Sequence, residues 1–249
     1  MVKGIRDWRR GGGDRGVIAR AEAARQAGFA AFEPVLAERG APAIAADESG
    51  LRRLGEAVRG AGVDIASLYY TIPPTLPTAS PNEQVRQDAT GGIPAALDRA
   101  GWLGAGILTI DAGQLARLGN DPTPKITYAD ALNAVYENLR PLAYEAESRA
   151  VVIAVENPVE AFLLSPVEMR ELLDRVGSPW VQACLNVGRV QRFGRPADWI
   201  ETLGPRISGE KFITARLLTE DQMLQRAILR EVVRLELGHR CGTCAHLDE

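Results

Sequence analysis

The sequence predicts an α/β fold of the (β/α)8 TIM-barrel type, with the eighth unit incomplete or degenerate. Three observations lead there. The chain has 249 residues, close to the ~250 typical of a one-domain barrel. Short apolar, β-branched runs alternate with helical patterns, the mark of βαβ units and a parallel sheet. Two of those runs, VVIAVE ending at Glu156 and VQACLN ending at Asn186, stop abruptly on a polar side chain. In a parallel barrel the carboxyl ends of all strands meet on one face, which carries the active site.

In chain order the strand candidates are 2–5, 29–33, 64–70, 106–111, 151–156, 181–186 and 207–212, with a weak eighth at 241–246. The helical patterns cover 16–27, 48–59, 81–100, 128–148, 166–176, 196–203 and 219–236. Most helices end in a glycine signal: AGF at Ala27, AGV at Ala61, LGAG at Leu103, VGS at Val176, LGP at Leu203 and LGH at Leu237. Glycine just past the last turn takes the left-handed conformation without a Cβ penalty. Helix starts are equally marked. Ser80-Pro-Asn-Glu83 and Ser165-Pro-Val-Glu168 each offer a capping serine, a proline and a glutamate in sequence, and Thr127 and Thr219 open similar caps. Within 128–148 the residues Ala131, Leu132, Val135, Leu139, Leu142 and Ala143 form one apolar face. Seven or eight such units favour a closed barrel, although a doubly wound sheet shares the alternation. A single domain over 1–249 is expected, with no internal linker. The Pro-rich stretch YTIPPTLPTAS after Tyr69 either overhangs the strand ends or is a stiff connection.

Composition narrows function. A net charge of −3 without a basic block disfavours nucleic acid and membrane surfaces as partners. No apolar run approaches the ~20 residues of a membrane span, and the start MVKGIRDWRRGGG lacks the apolar region of a signal peptide. Three cysteines without framework spacing point to a reducing cytoplasm. Cys184 falls within a buried strand and reads as a small core hydrophobe. Cys241, Cys244 and His246 form C-x-x-C-x-H, and with His239 they make at best a weak zinc clip. Gly11-Gly12-Gly13-Asp14 lacks the spacing of a phosphate-binding loop.

Five stretches in order resemble the xylose isomerase-like barrels, in their sugar-phosphate isomerase/epimerase branch. They are AGFAAFEP from Ala27, the ENP…FLLSPVEM run from Glu156, GSPWV from Gly177, LNVGR from Leu185 and FGRPADWIETLGPRI from Phe193. The likeness runs from about Met1 to Ile207. It implies a divalent metal, commonly manganese, held by Glu, Asp, His and Glu at the ends of strands five to eight. Glu156 matches the first ligand directly. Asn186 stands where the family has Asp, Lys211 stands near the family His, and His246 stands where the second Glu belongs. One ligand position matches and three depart. The stretch from Ser208 to Glu249 is also shorter than the family pattern.

The implied function is proton transfer next to the carbonyl of a small sugar or sugar phosphate. The metal, whether Mn, Mg, Co or Zn, polarises the oxygens, and Glu156 acts as base and ligand. Trp8, Glu33, Asp111 and Lys211 are candidates for substrate contacts, with packing or capping as their alternative roles. Lys211 could also supply a fixed positive charge beside Glu156. The competing expectation follows from the three altered ligands: a metal-free, catalytically impaired barrel that acts as a ligand-binding module or is a defective copy. Apurinic endonucleases of the same barrel class are disfavoured, because three zinc ions need many histidines and the chain has two.

Overall fold

A computed structural model describes residues 4–7, 12–36, 38, 40–72, 78–111, 113, 126–157, 162–190 and 194–208, together with the backbone of 3 and 211–213. Parallel strands alternate with helices: β1 (Lys3–Arg6), α1 (Gly13–Gln26), β2 (Ala31–Glu33), β3 (Val35–Leu36), α2 (Glu48–Gly60), β4 (Asp64–Ile65), β5 (Leu68–Tyr70), α3 (Glu83–Thr90), α4 (Ile93–Leu103), β6 (Ile107–Asp111), α5 (Tyr128–Arg149), β7 (Val152–Glu156), α6 (Pro166–Val176), β8 (Val181–Cys184), α7 (Val187–Val190), α8 (Pro196–Leu203) and β9 (Lys211–Ile213). Every strand pairing is parallel. This is the predicted α/β alternation.

The pairings run in two sheets, in the order β4-β2-β1-β9 and β3-β5-β6-β7-β8. The sheets meet where single extended stretches change partners. Pro34 separates β2 from β3, and its missing N–H interrupts the ladder. Its carbonyl still accepts from Tyr69 N at 2.9 Å. Ala66 and Ser67 separate β4 from β5. Ile207 bridges Ala183 of β8, and β9 a few residues later pairs with β1. The expected eighth strand at 241–246 and the expected helix at 219–236 lie outside the described residues.

The helices form as their caps and apolar faces dictate. Ser165 and Glu168 make the full capping box at α6, and Thr127 accepts from Asp130 N at α5. Gly104 and Gly177 end α4 and α6 in the left-handed conformation. The expected apolar face of α5 is buried, except that Leu132 is only half-buried and Ala134 and Ala146 join it. The helix expected over 81–100 is divided into α3 and α4 at Gly91-Gly92. Its cap is Asn82, which accepts from Gln84 N, while Ser80 accepts from Asn82 N at 3.1 Å. Glycine at 92 also leaves room for a neighbour: a Cβ there would stand 2.2 Å from the Tyr70 hydroxyl oxygen.

Neighbouring helices pack on one another around the strands, α1 on α2, α2 on α4, α4 on α5, α5 on α6 and α6 on α8. Among the described residues, no helix is long and apolar enough to cross a membrane. Where α2 meets the end of α4, an added Cβ on Gly55 would lie 2.3 Å from the Leu103 carbonyl oxygen. Gly→Ala in a helix interior ordinarily stabilises by up to about 1 kcal/mol. Here the sign reverses. Gly55→Ala should lower the unfolding free energy by about 1–3 kcal/mol through overpacking, read from urea denaturation. An unchanged or raised midpoint would contradict the packing described.

Candidate functional site

Successive strand side chains point to opposite faces, and the burial of this chain sorts them clearly. Ile5, Phe32, Leu108, Ile110, Ile153, Val155 and Ala183 join the large core shared with the helices. Ala31, Ala66, Ala154 and Cys184 form a separate small cluster on the other face. Barrel interiors are usually filled by layers of bulky Val, Ile and Leu. These interior positions are small, and two residues further along the same faces stand Glu33 after Ala31 and Glu156 after Ala154. Arg6 follows Gly4, and Asp111 follows Thr109, by the same step. Register places these side chains together: Arg6 pairs with Glu33 across β1 and β2, and Asp111 pairs with Glu156 across β6 and β7.

The result is a strand-end network of ions. Arg6 Nε donates to Glu33 Oε2, and Arg6 Nη2 donates to Glu156 Oε2. Glu33 Oε1 also accepts from Ser67 Oγ at 2.7 Å and Thr109 Oγ1 at 2.8 Å. The Tyr69 ring lies with its centroid 3.8 Å from the Arg6 guanidinium carbon, a cation–π contact. Glu156 Oε1 accepts from Asn186 Nδ2 at 2.6 Å and lies 3.0 Å from Arg189 Nη1. Arg189 Nη1 also donates to Asp111 Oδ1 at 2.9 Å and to the Asn157 carbonyl at 3.1 Å. Tyr69 Oη donates to the second oxygen of Asp111. Asp7 beside Arg6 is gripped by Arg20 of α1 at 2.6 and 2.8 Å, which fixes the end of β1.

Burial grades the cluster. Glu33 and Glu156 have no exposed surface. The Arg189 side chain is 20% exposed and that of Asp111 36%, so these two form the solvent side. Burial opposes the Arg6 charge, but Glu156 and Glu33 outweigh it and hold its pKa well above the ordinary value. Arg189 is likewise raised, against its burial, by Glu156 and Asp111. Burial, then the charges of Asp111 and Glu156, push the Tyr69 phenol well up. Cys184 is raised by burial and by Glu156 and Glu33, as befits a thiol held neutral in the interior.

Among the described residues, the donor set at Glu156 does not fit a divalent ion. Both oxygens of Glu156 already meet guanidinium groups. Asn186 turns its amide nitrogen to Glu156 and uses its oxygen to accept from Arg189 N at 3.1 Å. A metal ligand would present the oxygen. No group of three or more His, Cys, Asp or Glu suited to a metal occurs among the described residues. A cation placed between these groups would meet repulsion of about 4 kcal/mol per unit charge at about 4 Å from each guanidinium.

Four expected site residues, Glu33, Asp111, Glu156 and Asn186, are therefore brought together. Glu33 is a buried partner of Arg6 within that group. Of Lys211 only the backbone is described. Its backbone pairs with Lys3, at the amino end of β1, and Ile213 pairs with Ile5. Three residues separate that level from Arg6, roughly 10 Å along a strand. Among the described residues, the positive charge beside Glu156 comes from Arg6 and Arg189. Trp8 and His246 lie outside the described residues, as do Cys241 and Cys244. Arg6, Tyr69 and Arg189 were not anticipated. The strand-end rule that finds Glu156 finds Arg6 too, once β1 is extended by one residue.

Two outcomes follow from this geometry. Arg6→Met should cost about 3–5 kcal/mol in unfolding free energy, because it leaves two buried carboxylates without their cation; denaturant titration reads it, and a loss below 1 kcal/mol would contradict the network. The tyrosines give a pH signature. The folded chain holds Tyr69 above the unfolded value of ~10, so its contribution is whole below that pH and is lost as pH rises through the folded value. Tyr128 is pushed up to about 12 by burial and by Glu168. Phenolate absorbance should therefore show Tyr69 ionising only with alkaline unfolding, the loss of its signal in Tyr69→Phe identifying it. Ionisation of Tyr69 near pH ~10 in the folded protein would contradict its burial.

Residues 21–215 match the model of the family described as xylose isomerase-like TIM barrel. The chain resembles a solved D-psicose 3-epimerase determined in the presence of D-fructose, at 17% identity and a TM-score of 0.73, covering 93% of this chain and 81% of the other. It also resembles the D-psicose 3-epimerase with D-tagatose from Clostridium cellulolyticum H10, at 16% identity and 0.69, covering 86% and 73%. A third likeness is to apo 3-keto-D-glucoside 4-epimerase from E. coli, at 14% identity and 0.71, covering 95% and 88%. No curated protein sequence matches the chain. At these identities the likenesses show the fold, and the match over residues 21–215 shows the family: this chain belongs to the xylose isomerase-like TIM barrels.

Proposed function

We propose that the protein is a sugar isomerase or epimerase that binds a small sugar or sugar phosphate at the strand-end mouth and moves a proton next to its carbonyl. The observation that carries this reading is the placement of Glu156, a strand-end carboxylate with cations on both sides and a polar rim of Asp111 and Arg189. Family membership and the fold shared with sugar epimerases support the substrate class.

Such chemistry needs a base for the carbon-bound proton and a positive or hydrogen-bonding group for the oxygen that gains charge. Glu156 is the base. Arg189, the more exposed of the two guanidinium groups, faces the developing oxyanion. Asp111 and Arg189 pair with sugar hydroxyls, the one accepting and the other donating. A bound sugar takes over the Arg189 contact with Glu156, which frees one carboxylate oxygen while Arg6 and Asn186 keep the group oriented. The divalent metal implied by the family resemblance is not matched by the described donor set, so no step passes through it.

The second reading is a metal-free, catalytically impaired barrel that binds a ligand or is a defective copy. One observation favours it: Glu156 is wholly buried and both of its oxygens are held. The site assignment and a single domain over 1–249 are part of the same proposal, as is action on soluble sugars in the cytoplasm.

Solvent-exchange measurements decide between the readings. Ketopentoses, ketohexoses and their phosphates, incubated with the chain in heavy water, should take up deuterium on the carbon beside the carbonyl. Glu156→Gln should slow that uptake by about 10²–10⁴-fold, the usual worth of a positioned base. Saturable sugar binding without exchange would establish the second reading.

A further inference from the structure

We infer that Arg6 and Arg189 are the resident cations of this barrel, and that their guanidinium groups hold the ground beside Glu156 in place of a divalent ion. The inference rests on the proposed reading of the mouth as the functional site.

The surroundings of Arg6 are shaped for a planar fork. Glu33 takes one edge of the guanidinium, Glu156 takes another, and the Tyr69 ring covers its face. Guanidinium is suited to carboxylate pairing and aromatic stacking together, whereas a metal ion wants oxygen or imidazole ligands converging on a point. The supports of this arrangement are themselves fixed. Ser67 and Thr109 orient Glu33, and Gly4, Ala31, Ala66, Ala154 and Cys184 leave room for the long side chain.

Position 186 agrees. An Asp there would set a second carboxylate 2.6 Å from Glu156, with the metal needed to hold both. Asn supplies a donor and removes the repulsion. Charge is close to balanced as well: Glu33, Glu156 and Asp111 face Arg6 and Arg189. Asn186 thus acts together with Arg6 and Arg189, and the cation is carried by the chain.

Mn2+ titration of the full chain, followed by the paramagnetic resonance of the free ion, tests this. After chelator treatment the native protein should leave the free-ion signal undiminished at one equivalent, and Tm should be the same with chelator, Mn2+, Mg2+ or Co2+. The variant carrying Arg6→Met, Asn186→Asp and Arg189→Met should deplete the signal one for one and gain Tm with Mn2+. Depletion by the native chain, abolished in Glu156→Ala, would overturn the inference while leaving the proposed isomerase or epimerase activity standing as a metal-dependent one. Should the triple variant fail to fold, Arg189→Ala replaces it. Methylguanidinium should restore Tm in that variant and leave the native protein unaffected, and a lack of rescue would overturn the inference.

Discussion

The interaction on which the rest of the structure depends is the pairing of Arg6 with Glu33 and Glu156 at the carboxyl ends of the strands. A carboxylate with no exposed surface costs several kcal/mol to bury unless a charge and hydrogen bonds meet it. Glu33 and Glu156 are both in that position. One side chain from β1 satisfies the pair, and each neighbouring choice follows from it. The interior beneath must be small enough to admit Arg6, hence alanine and cysteine where bulky residues would ordinarily stack. Tyr69 must lie flat over the guanidinium, and its hydroxyl then falls on Asp111. Asn186 must donate to Glu156 rather than compete with it.

A chain-borne cation behaves differently from a bound one. A metal ion can leave, exchange and open several coordination positions to a ligand. A guanidinium stays charged at every working pH, cannot act as a Lewis acid through a vacant coordination site, and directs its N–H groups in one plane. Arg189 is the member of the pair with freedom to respond to a ligand, because it is the more exposed and bridges Glu156 and Asp111 through one nitrogen. Arg6 is locked among its partners. The site therefore divides into a fixed inner half, which sets the orientation of Glu156, and an adjustable outer half, which meets whatever enters the mouth.

The alternation of strands and helices was legible because each element is punctuated by physics that operates locally: caps at Ser165 and Thr127, left-handed glycines at 104 and 177, and apolar runs ending on Glu156 and Asp111. Where tertiary packing decides, the sequence was less informative. The room that Gly92 leaves for the Tyr70 hydroxyl is one that no window of sequence reveals. Arg6 escaped notice for a smaller reason. The first strand reads as ending at Ile5, which leaves Arg6 in a loop, whereas one more residue of strand places it level with Glu33. Arg189 stood in plain view within LNVGR, but its role depends on the helix α7 turning it back over Asp111 and Glu156, 78 residues away in the first case. The backbone of Lys211 pairs with Lys3 at the amino end of β1, a register that no local signal carries.

The central claim is that guanidinium groups and not a metal ion neutralise Glu156. Crystallography on the full chain soaked in Mn2+, with data collected at the manganese absorption edge, addresses it most directly. The account predicts continuous guanidinium density from Arg6 to both Glu33 and Glu156 and no anomalous peak beside Glu156. An anomalous peak within bonding distance of Glu156, with Arg6 turned aside and Asn186 presenting its oxygen, would contradict it.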